Sequence, residues 1–99
     1  MKPLRIYIAG PMTGKKDYNY PAFNKEAELL RGYGHTVINP AEINNVDTPW
    51  HECIRKNIVE LVRCNALQLL PGWHDSKGAK LEYYIAERLG MLIYMPVEI

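Results

Sequence analysis

The feature that most constrains this chain is a regular alternation between short apolar runs and longer segments with helical periodicity. The short runs have the length of β-strands and cover residues 4–9, 36–39, 66–70 and 91–95. The segments between them repeat apolar residues every three to four positions and cover residues 20–33, 49–64 and 76–89. This order predicts a three-layer α/β/α sandwich of the flavodoxin or Rossmann type, with a four-stranded parallel sheet in the order 2-1-3-4. Because no repeat or linker interrupts the pattern, residues 1–99 are expected to form one domain.

Local signals support the predicted helix boundaries. Pro21 suits the first turn of the first helix, and Gly34 suits its end. Asp47 or Thr48 is the expected cap of the middle helix, with Pro49 at its first position. These residues therefore predict both ends of the first helix and the start of the middle helix.

Composition excludes several classes of function. Twelve Lys and Arg residues against eleven Asp and Glu residues give a net charge of +1, so no strong attraction to duplex nucleic acid or to an acidic membrane is expected. The apolar runs are too short to span a bilayer, and Arg5 interrupts the first one, which predicts a strand and not a signal peptide. The two cysteines, Cys53 and Cys64, are too few for a disulfide framework, which favours a cytoplasmic setting.

In a parallel α/β sheet, ligands bind beyond the carboxyl ends of the strands. The loops at that edge are predicted to be 10–17, 39–48 and 72–76, and the last of these leads into a helix N-terminus that favours an anion. The candidate binding residues taken from these loops and from the start of the last helix are Gly10, Pro11, Met12, Thr13, Asp17, Asn39, Trp73, Ser76 and Gly78.

Glu82 is an anomaly in the last helix. At about 100° per residue, the apolar residues of this helix share one arc that includes Leu81, Ala86 and Leu89, and Glu82 projects into it between Leu89 and Ala86. A carboxylate that faces a core is costly unless it is paired. Glu82 is therefore either a structural group that pairs with an arginine or reaches the sheet edge, or a reactive carboxylate in a partly dry cleft.

Asn57 is a second polar residue on an apolar face. It lies in the middle of the arc formed on the middle helix by Trp50, Ile54 and Leu61. A buried asparagine can satisfy the backbone of a neighbouring loop, or it can face the same crevice as Glu82 and bind a ligand. Two inward polar residues on separate helices favour a site.

Other chemical signals are weak. The segment from Gly10 to Lys16 has one residue too few between its glycines for a phosphate-binding P-loop, and Lys16 stands where such a loop has serine or threonine. The scattered His, Cys and Glu residues form no metal-ligand motif. No metal and no cofactor is therefore expected.

Beyond these patterns, the sequence resembles a phage- and prophage-associated family of unassigned function. That family looks like a compact branch of the nucleoside 2-deoxyribosyltransferase superfamily, which includes the 2′-deoxynucleoside 5′-phosphate N-hydrolases. The motifs that carry the resemblance are YIAGPMTG at 7–14, DYNYPAFN at 17–24, NPAE at 39–42, LLPGW at 69–73 and SKGAKLE at 76–82.

The resemblance implies specific roles. Glu82 would attack the anomeric carbon of a nucleoside or nucleotide to form a glycosyl-enzyme intermediate, and Tyr7 would position the carboxylate or the sugar. Ser76 would bind a 5′-phosphate at the helix N-terminus, and the 10–13 loop would line the pocket. Asn57 would hold the substrate from the facing helix. A homodimer or larger homo-oligomer is expected, because the family enzymes complete the pocket in part from a neighbouring subunit and a chain this short buries only a modest core.

Two departures leave the activity open. The family enzymes have aspartates at the positions of Asn57 and Asn65, and an asparagine cannot donate a proton as a carboxylic acid does. The leading hypothesis is cleavage or transfer at an N-glycosidic bond. The alternatives are a catalytically weakened protein that binds or senses a nucleotide without turnover, and a protein–protein role in which the cleft is vestigial.

Overall fold

The strands of the described chain, residues 2–97 of a computed structural model, form one parallel sheet in the order β2-β1-β3-β4. The strands are β1 (Arg5–Ala9), β2 (Thr36–Ile38), β3 (Ala66–Leu69) and β4 (Leu92–Tyr94). Between them lie the helices α1 (Tyr20–Gly32), α2 (Pro40–Ile43), α3 (Trp50–Leu61) and α4 (Lys77–Arg88). The predicted α/β class and strand order are confirmed.

The alternation of side chains along β1 divides the core into two layers. Tyr7 and Ala9 point to one face of the sheet and pack in a cluster with Leu61 from α3 and with Ala79 and Ala86 from α4. On the other face, Ile8 packs in a second cluster with residues of α1, β2 and the end of β3, namely Phe23, Ala27, Val37 and Leu70. Because successive strand residues face opposite sides, one central strand anchors helices on both faces.

The structure corrects one helix start and adds one short helix. The residue that precedes α3 is Pro49, with no side-chain cap, so the predicted cap by Asp47 or Thr48 is wrong. The short helix α2 was not predicted. It begins after Asn39, whose side chain accepts a hydrogen bond from the Ala41 N–H at 3.0 Å.

The buried face of α4 is narrower than the helical wheel predicts. Ala79, Glu82 and Ala86 are buried, whereas Leu81 and Leu89 are 38% and 58% exposed. The most buried positions of α4 are thus Glu82 and the two alanines, and Tyr83 and Ile85 pack beside them while partly buried. The inward orientation of Glu82 is confirmed.

The carboxyl ends of all four parallel strands lie at one edge of the sheet. The loops that follow β1, β2 and β3 therefore meet at this edge, together with the N-terminal ends of α3 and α4. None of the helices described is long and apolar enough to cross a membrane.

Candidate active site

A cavity of about 620 Å³ opens at the carboxyl edge of the sheet. Its walls come from the loop after β1, the segment between β2 and α3, and the first turns of α3 and α4. Predicted site residues that line it are Gly10, Pro11, Met12, Thr13, Asn57, Ser76, Gly78 and Glu82. The structure therefore brings together in one hollow residues that are far apart in the sequence.

Glu82 reaches this cavity from the buried face of α4. Its side chain is 4% exposed, and its Oε2 accepts a hydrogen bond from the hydroxyl of Tyr7, which is fully buried in β1. No lysine, arginine or histidine among the described residues forms a salt bridge with Glu82. Glu82 is therefore not paired with an arginine, which was one of the structural alternatives.

Burial changes the acidity of both groups. Removal from water raises the pKa of Glu82 from 4.5 to about 8, and the hydrogen bond from Tyr7 opposes this shift in part. The pKa of Tyr7 is raised well above its usual 10, first by burial and then by the negative charge of Glu82. Tyr7 therefore stays protonated and remains a hydrogen-bond donor to the carboxyl group.

Asn57 lies across the cavity on α3 and is 9% exposed. Its Oδ1 accepts a hydrogen bond of 2.8 Å from Nδ2 of Asn44, which follows α2. The same Nδ2 donates to the carbonyl of Pro40 at 3.2 Å. The prediction that Asn57 is turned inward is confirmed, and its partner Asn44 is also part of the cavity wall.

The first turn of α4 forms another side of the cavity. Ser76 caps the helix, and its Oγ accepts a hydrogen bond from the Ala79 N–H at 3.2 Å. Lys77 places its Nζ 4.2 Å from the ring centroid of Trp50 at the start of α3. Gly78 faces α3, and a Cβ there would be in ordinary van der Waals contact with Ile54 at 3.5 Å.

Three predicted binding residues do not line this cavity. Asp17 is exposed in a 3-10 turn, where it has a φ of 52°. Asn39 is 1% exposed. Its Oδ1 caps α2 by accepting from the Ala41 N–H, and its Nδ2 donates to Asn24 Oδ1 at 2.9 Å. Trp73 packs against Tyr83, with ring centroids 4.9 Å apart. Two of these side chains thus stabilise the walls of the site and do not face its interior.

Asn65 has no place in the candidate site. It precedes β3 at the amino edge of the sheet, opposite the cavity. Its Oδ1 accepts from the Arg5 N–H at 2.6 Å, its own N–H donates to the Arg5 carbonyl, and its carbonyl accepts from the Leu92 N–H. The expectation that Asn65 bears on the chemistry is therefore corrected, because its side chain and backbone together join the beginnings of β1, β3 and β4.

The segment between β2 and α3 and the first turn of α3 supply part of the wall that the sequence did not predict. Asn44, Asn45 and Val46 line the cavity, as do His51 and Cys53. The sequence placed this loop at the ligand edge, but none of its polar residues stood out before α2 was known. The neighbour that orients Asn57 comes from this loop.

The ionisable groups around the cavity are few. Lys15 and Lys77 are its cations, and Asp75 and Glu82 are its carboxyl groups. Among residues 2–97, no three His, Cys, Asp or Glu side chains converge on a point that could hold a metal ion. His51 and Cys53 also line the cavity, and of its two carboxyl groups only Glu82 is buried.

Comparisons with known proteins identify a matching family and solved structures with a similar fold. The chain matches the family described as "Domain of unknown function (DUF4406)" over residues 4–95. No curated protein matches it.

Among solved structures, the chain is similar to a 2-desoxiribosyltransferase from Leishmania mexicana, with a TM-score of 0.75 and 24% identity. The match covers 97% of this chain and 66% of that protein, so the chain spans just under two thirds of the length of this neighbour. It is also similar to a 2-deoxyribosyltransferase from Bacillus psychrosaccharolyticus, with a TM-score of 0.72, 19% identity, and coverage of 96% of this chain and 75% of that protein. These similarities show a deoxyribosyltransferase-like fold.

Proposed function

The chain belongs to the DUF4406 family, and we propose that it cleaves or transfers the N-glycosidic bond of a nucleoside or nucleoside 5′-monophosphate, preferably a 2′-deoxy one. The observation that carries the proposal is the Glu82 carboxyl group, which is buried, hydrogen-bonded to Tyr7 and unpaired with any cation at a cavity. The likeness to two 2-deoxyribosyltransferases supports the substrate class.

The proposed reaction has two displacements. The ionised Glu82 carboxylate attacks C1′, a bond forms between a carboxylate oxygen and C1′, and the C1′–N bond breaks with its electron pair passing to the base. Water or a second base then attacks C1′ and releases Glu82, which gives overall retention of configuration. The departing base takes its proton from solvent or from a cavity acid.

Tyr7 prepares the nucleophile in this reaction. Its hydroxyl holds one carboxyl oxygen, Oε2, and leaves the other free of any hydrogen bond from the described residues. The same hydrogen bond stabilises the ionised form, and so it makes the carboxylate available at a lower pH than burial alone would allow. Tyr7 is therefore a positioning residue for Glu82.

The start of α4 suits the 5′ end of a nucleotide. Ser76 begins the helix, where free backbone N–H groups favour an anion, and Lys77 adds a positive charge. Six residues separate Ser76 from Glu82, which corresponds to about 9 Å along the helix axis. This distance accommodates a phosphate at one end and the sugar carbon at the other.

The alternative is a protein that binds a nucleotide without turnover, and Asn57 favours it. This position offers an amide where a carboxylic acid could protonate the departing base. Asp75 also lines the cavity, but its side chain is 86% exposed. A homo-oligomeric state, a cytoplasmic location and a phage or prophage origin stay predictions from the sequence.

Release of free base separates these hypotheses. Purified protein is incubated with 2′-deoxynucleosides and their 5′-monophosphates, with and without an acceptor base, and products are separated by chromatography. The proposal expects free or exchanged base from the wild type, none from Glu82→Gln, and normal release from Glu87→Gln, a matched control because Glu87 is exposed on the same helix.

A thermal-shift screen covers the remaining outcomes. Nucleotides that raise the melting temperature without any base release would support the binding protein, because a ligand selective for the native state stabilises it. No shift and no release with any of these compounds would contradict both, and would favour a vestigial cleft.

A further inference from the structure

The Asn44–Asn57 pair fixes the direction of an amide at the cavity wall. The Pro40 carbonyl can only accept hydrogen bonds, so the Asn44 group 3.2 Å from it must be the NH₂. That NH₂ also faces the Asn57 side chain at 2.8 Å, so the Asn57 atom there must be the oxygen. The orientation of Asn57 therefore follows from a backbone group of α2.

This orientation leaves the Asn57 NH₂ group for the cavity. Asn57 lines the hollow, is more than nine-tenths buried, and its Nδ2 has no hydrogen-bond partner within residues 2–97. Since Nδ2 is not among the buried side-chain atoms that lack a partner, this donor is accessible from the cavity, where a ligand atom that accepts a hydrogen bond can reach it. The wall thus presents a donor where an aspartate would present an acceptor.

The pair is also poorly satisfied as a structural element. Asn44 Oδ1 is buried and has no partner among the described residues. One buried polar atom of the pair therefore lacks a hydrogen bond within the described residues, and a second polar group, the Asn57 NH₂, is open to the cavity. Most buried polar groups in folded proteins are satisfied, so this arrangement fits ligand recognition better than stabilisation of the fold.

We propose that Asn44 is a positioning residue that holds the Asn57 NH₂ towards the cavity. This NH₂ group selects a base that carries a carbonyl oxygen or an unprotonated ring nitrogen at the contacted edge. This inference rests on the proposed function for its substrate class. In the glycosyl transfer, the same N–H would stabilise the negative charge that the base acquires when it receives the electron pair of the C1′–N bond.

A base acceptor and a sugar hydroxyl are distinguished by substitution of Asn57. A hydroxyl both donates and accepts, so an aspartate at this position would still bind it. A carbonyl oxygen or an unprotonated ring nitrogen only accepts, so Asn57→Asp would place two acceptors face to face. Asn57→Asp is therefore expected to preserve binding of a sugar hydroxyl and to weaken binding of a base acceptor.

Asn44→Asp tests the positioning role. An aspartate at position 44 cannot donate to Asn57 Oδ1, and it would instead attract the Asn57 NH₂ away from the cavity. Asn24→Asp is the matched control, because Asn24 is exposed, does not line the cavity, and uses its Oδ1 to accept from Asn39. An aspartate retains that interaction.

The measurement is the Kd of each common 2′-deoxynucleoside 5′-monophosphate by calorimetry, made in the Glu82→Gln background so that the ligand stays intact. Asn57→Asp and Asn44→Asp are each expected to weaken the best ligand roughly 10- to 100-fold, and Asn24→Asp to leave it unchanged. Both losses should shrink for an analogue of that ligand with C–H in place of the accepting atom, which a general folding defect would not produce. Denaturant unfolding of each variant shows whether it is folded.

Unchanged binding in Asn57→Asp would overturn the proposed contact, and unchanged binding in Asn44→Asp alone would overturn the role of Asn44. Equal losses with the ligand and its analogue would likewise refute selection by an acceptor. Base release by the wild type is assayed separately. A protein that shows this binding pattern without releasing base would retain the inference and lose the proposed reaction.

Discussion

Replacement of Glu82 by glutamine should change how the stability of the protein depends on pH. In the folded protein, burial raises the pKa of Glu82 to about 8, whereas its usual value is 4.5. Between these pH values the folded state holds a proton that the unfolded state has lost. With respect to this group, the free energy of unfolding is therefore highest below about pH 4.5 and falls as the pH rises to about 8. Glutamine does not titrate, so the variant lacks this decline.

The size of the effect follows from the two pKa values. Each pH unit in this window corresponds to about 1.4 kcal/mol, so at pH 7 the wild type has lost about 3 kcal/mol that Glu82→Gln retains. The complete loss above pH 8 is about 5 kcal/mol. A constant offset between the proteins is expected, because the new NH₂ group also needs a partner. The pH dependence of the difference is therefore the informative quantity.

Urea unfolding at several pH values between 5 and 8, followed by tryptophan fluorescence, measures this difference. With an m-value of about 1–3 kcal/mol/M, the midpoint of Glu82→Gln should move relative to wild type by roughly 1–3 M between the acid end and neutral pH. All other side chains are common to both proteins, so their contributions cancel in the difference. Glu28→Gln, a change of the exposed Glu28 on α1, should run parallel to wild type. Parallel curves for Glu82→Gln across the same range would refute the claim that this carboxyl group is desolvated.

Further predictions concern the hydrogen bond to Glu82, the packing beneath the loop after β1, and catalysis. Tyr7→Phe should destabilise the protein by roughly 1–3 kcal/mol. It should also raise the pKa of Glu82, because the hydrogen bond from Tyr7 lowers that pKa in the wild type. Difference titration of the two proteins measures this change in pKa. Gly10→Ala should lower the free energy of unfolding by roughly 1–3 kcal/mol, because the new Cβ would lie 2.8 Å from Leu70 Cβ. Gly32→Ala in α1 would place a Cβ with nothing within 4 Å and should raise the free energy of unfolding by about 0.5–1 kcal/mol. Thermal unfolding measures both changes. Base release should rise with pH up to about 8 as Glu82 ionises, and a rate that falls with pH over this range would contradict its role as nucleophile.

The fold and the central carboxyl group could be predicted because both depend on periodicity. Strand-sized runs and helical spacing determine a parallel sheet, and the wheel identified Glu82 because a single charged residue stood among apolar ones. The wheel overestimated the buried arc, since Leu81 and Leu89 are largely exposed. The hydropathy of single residues does not show that the deepest positions of α4 are held by Glu82 and two alanines, with the leucines outside them.

The partners of the inward residues could not be predicted in the same way. Asn44 and Asn57 meet through a short helix that depends on the buried cap residue Asn39, and the spacing of apolar residues does not register such a helix. Asn65 shows the opposite case, since the sequence resemblance drew attention to its position although it lies at the other edge of the sheet. Motif similarity identifies a residue, and the direction of its strand decides which edge of the sheet it reaches.

The energetic cost of Glu82 explains why its surroundings are arranged as they are. A domain of this size has a total stability of roughly 5–15 kcal/mol, so a loss of about 3 kcal/mol at pH 7 through one carboxyl group is a large part of it. A salt bridge would reduce that loss but would also neutralise a nucleophile, whereas the Tyr7 hydroxyl lowers the pKa of Glu82 without supplying a positive charge. The carboxyl group is thus stabilised by a neutral donor that leaves its other oxygen without a hydrogen bond from the described residues.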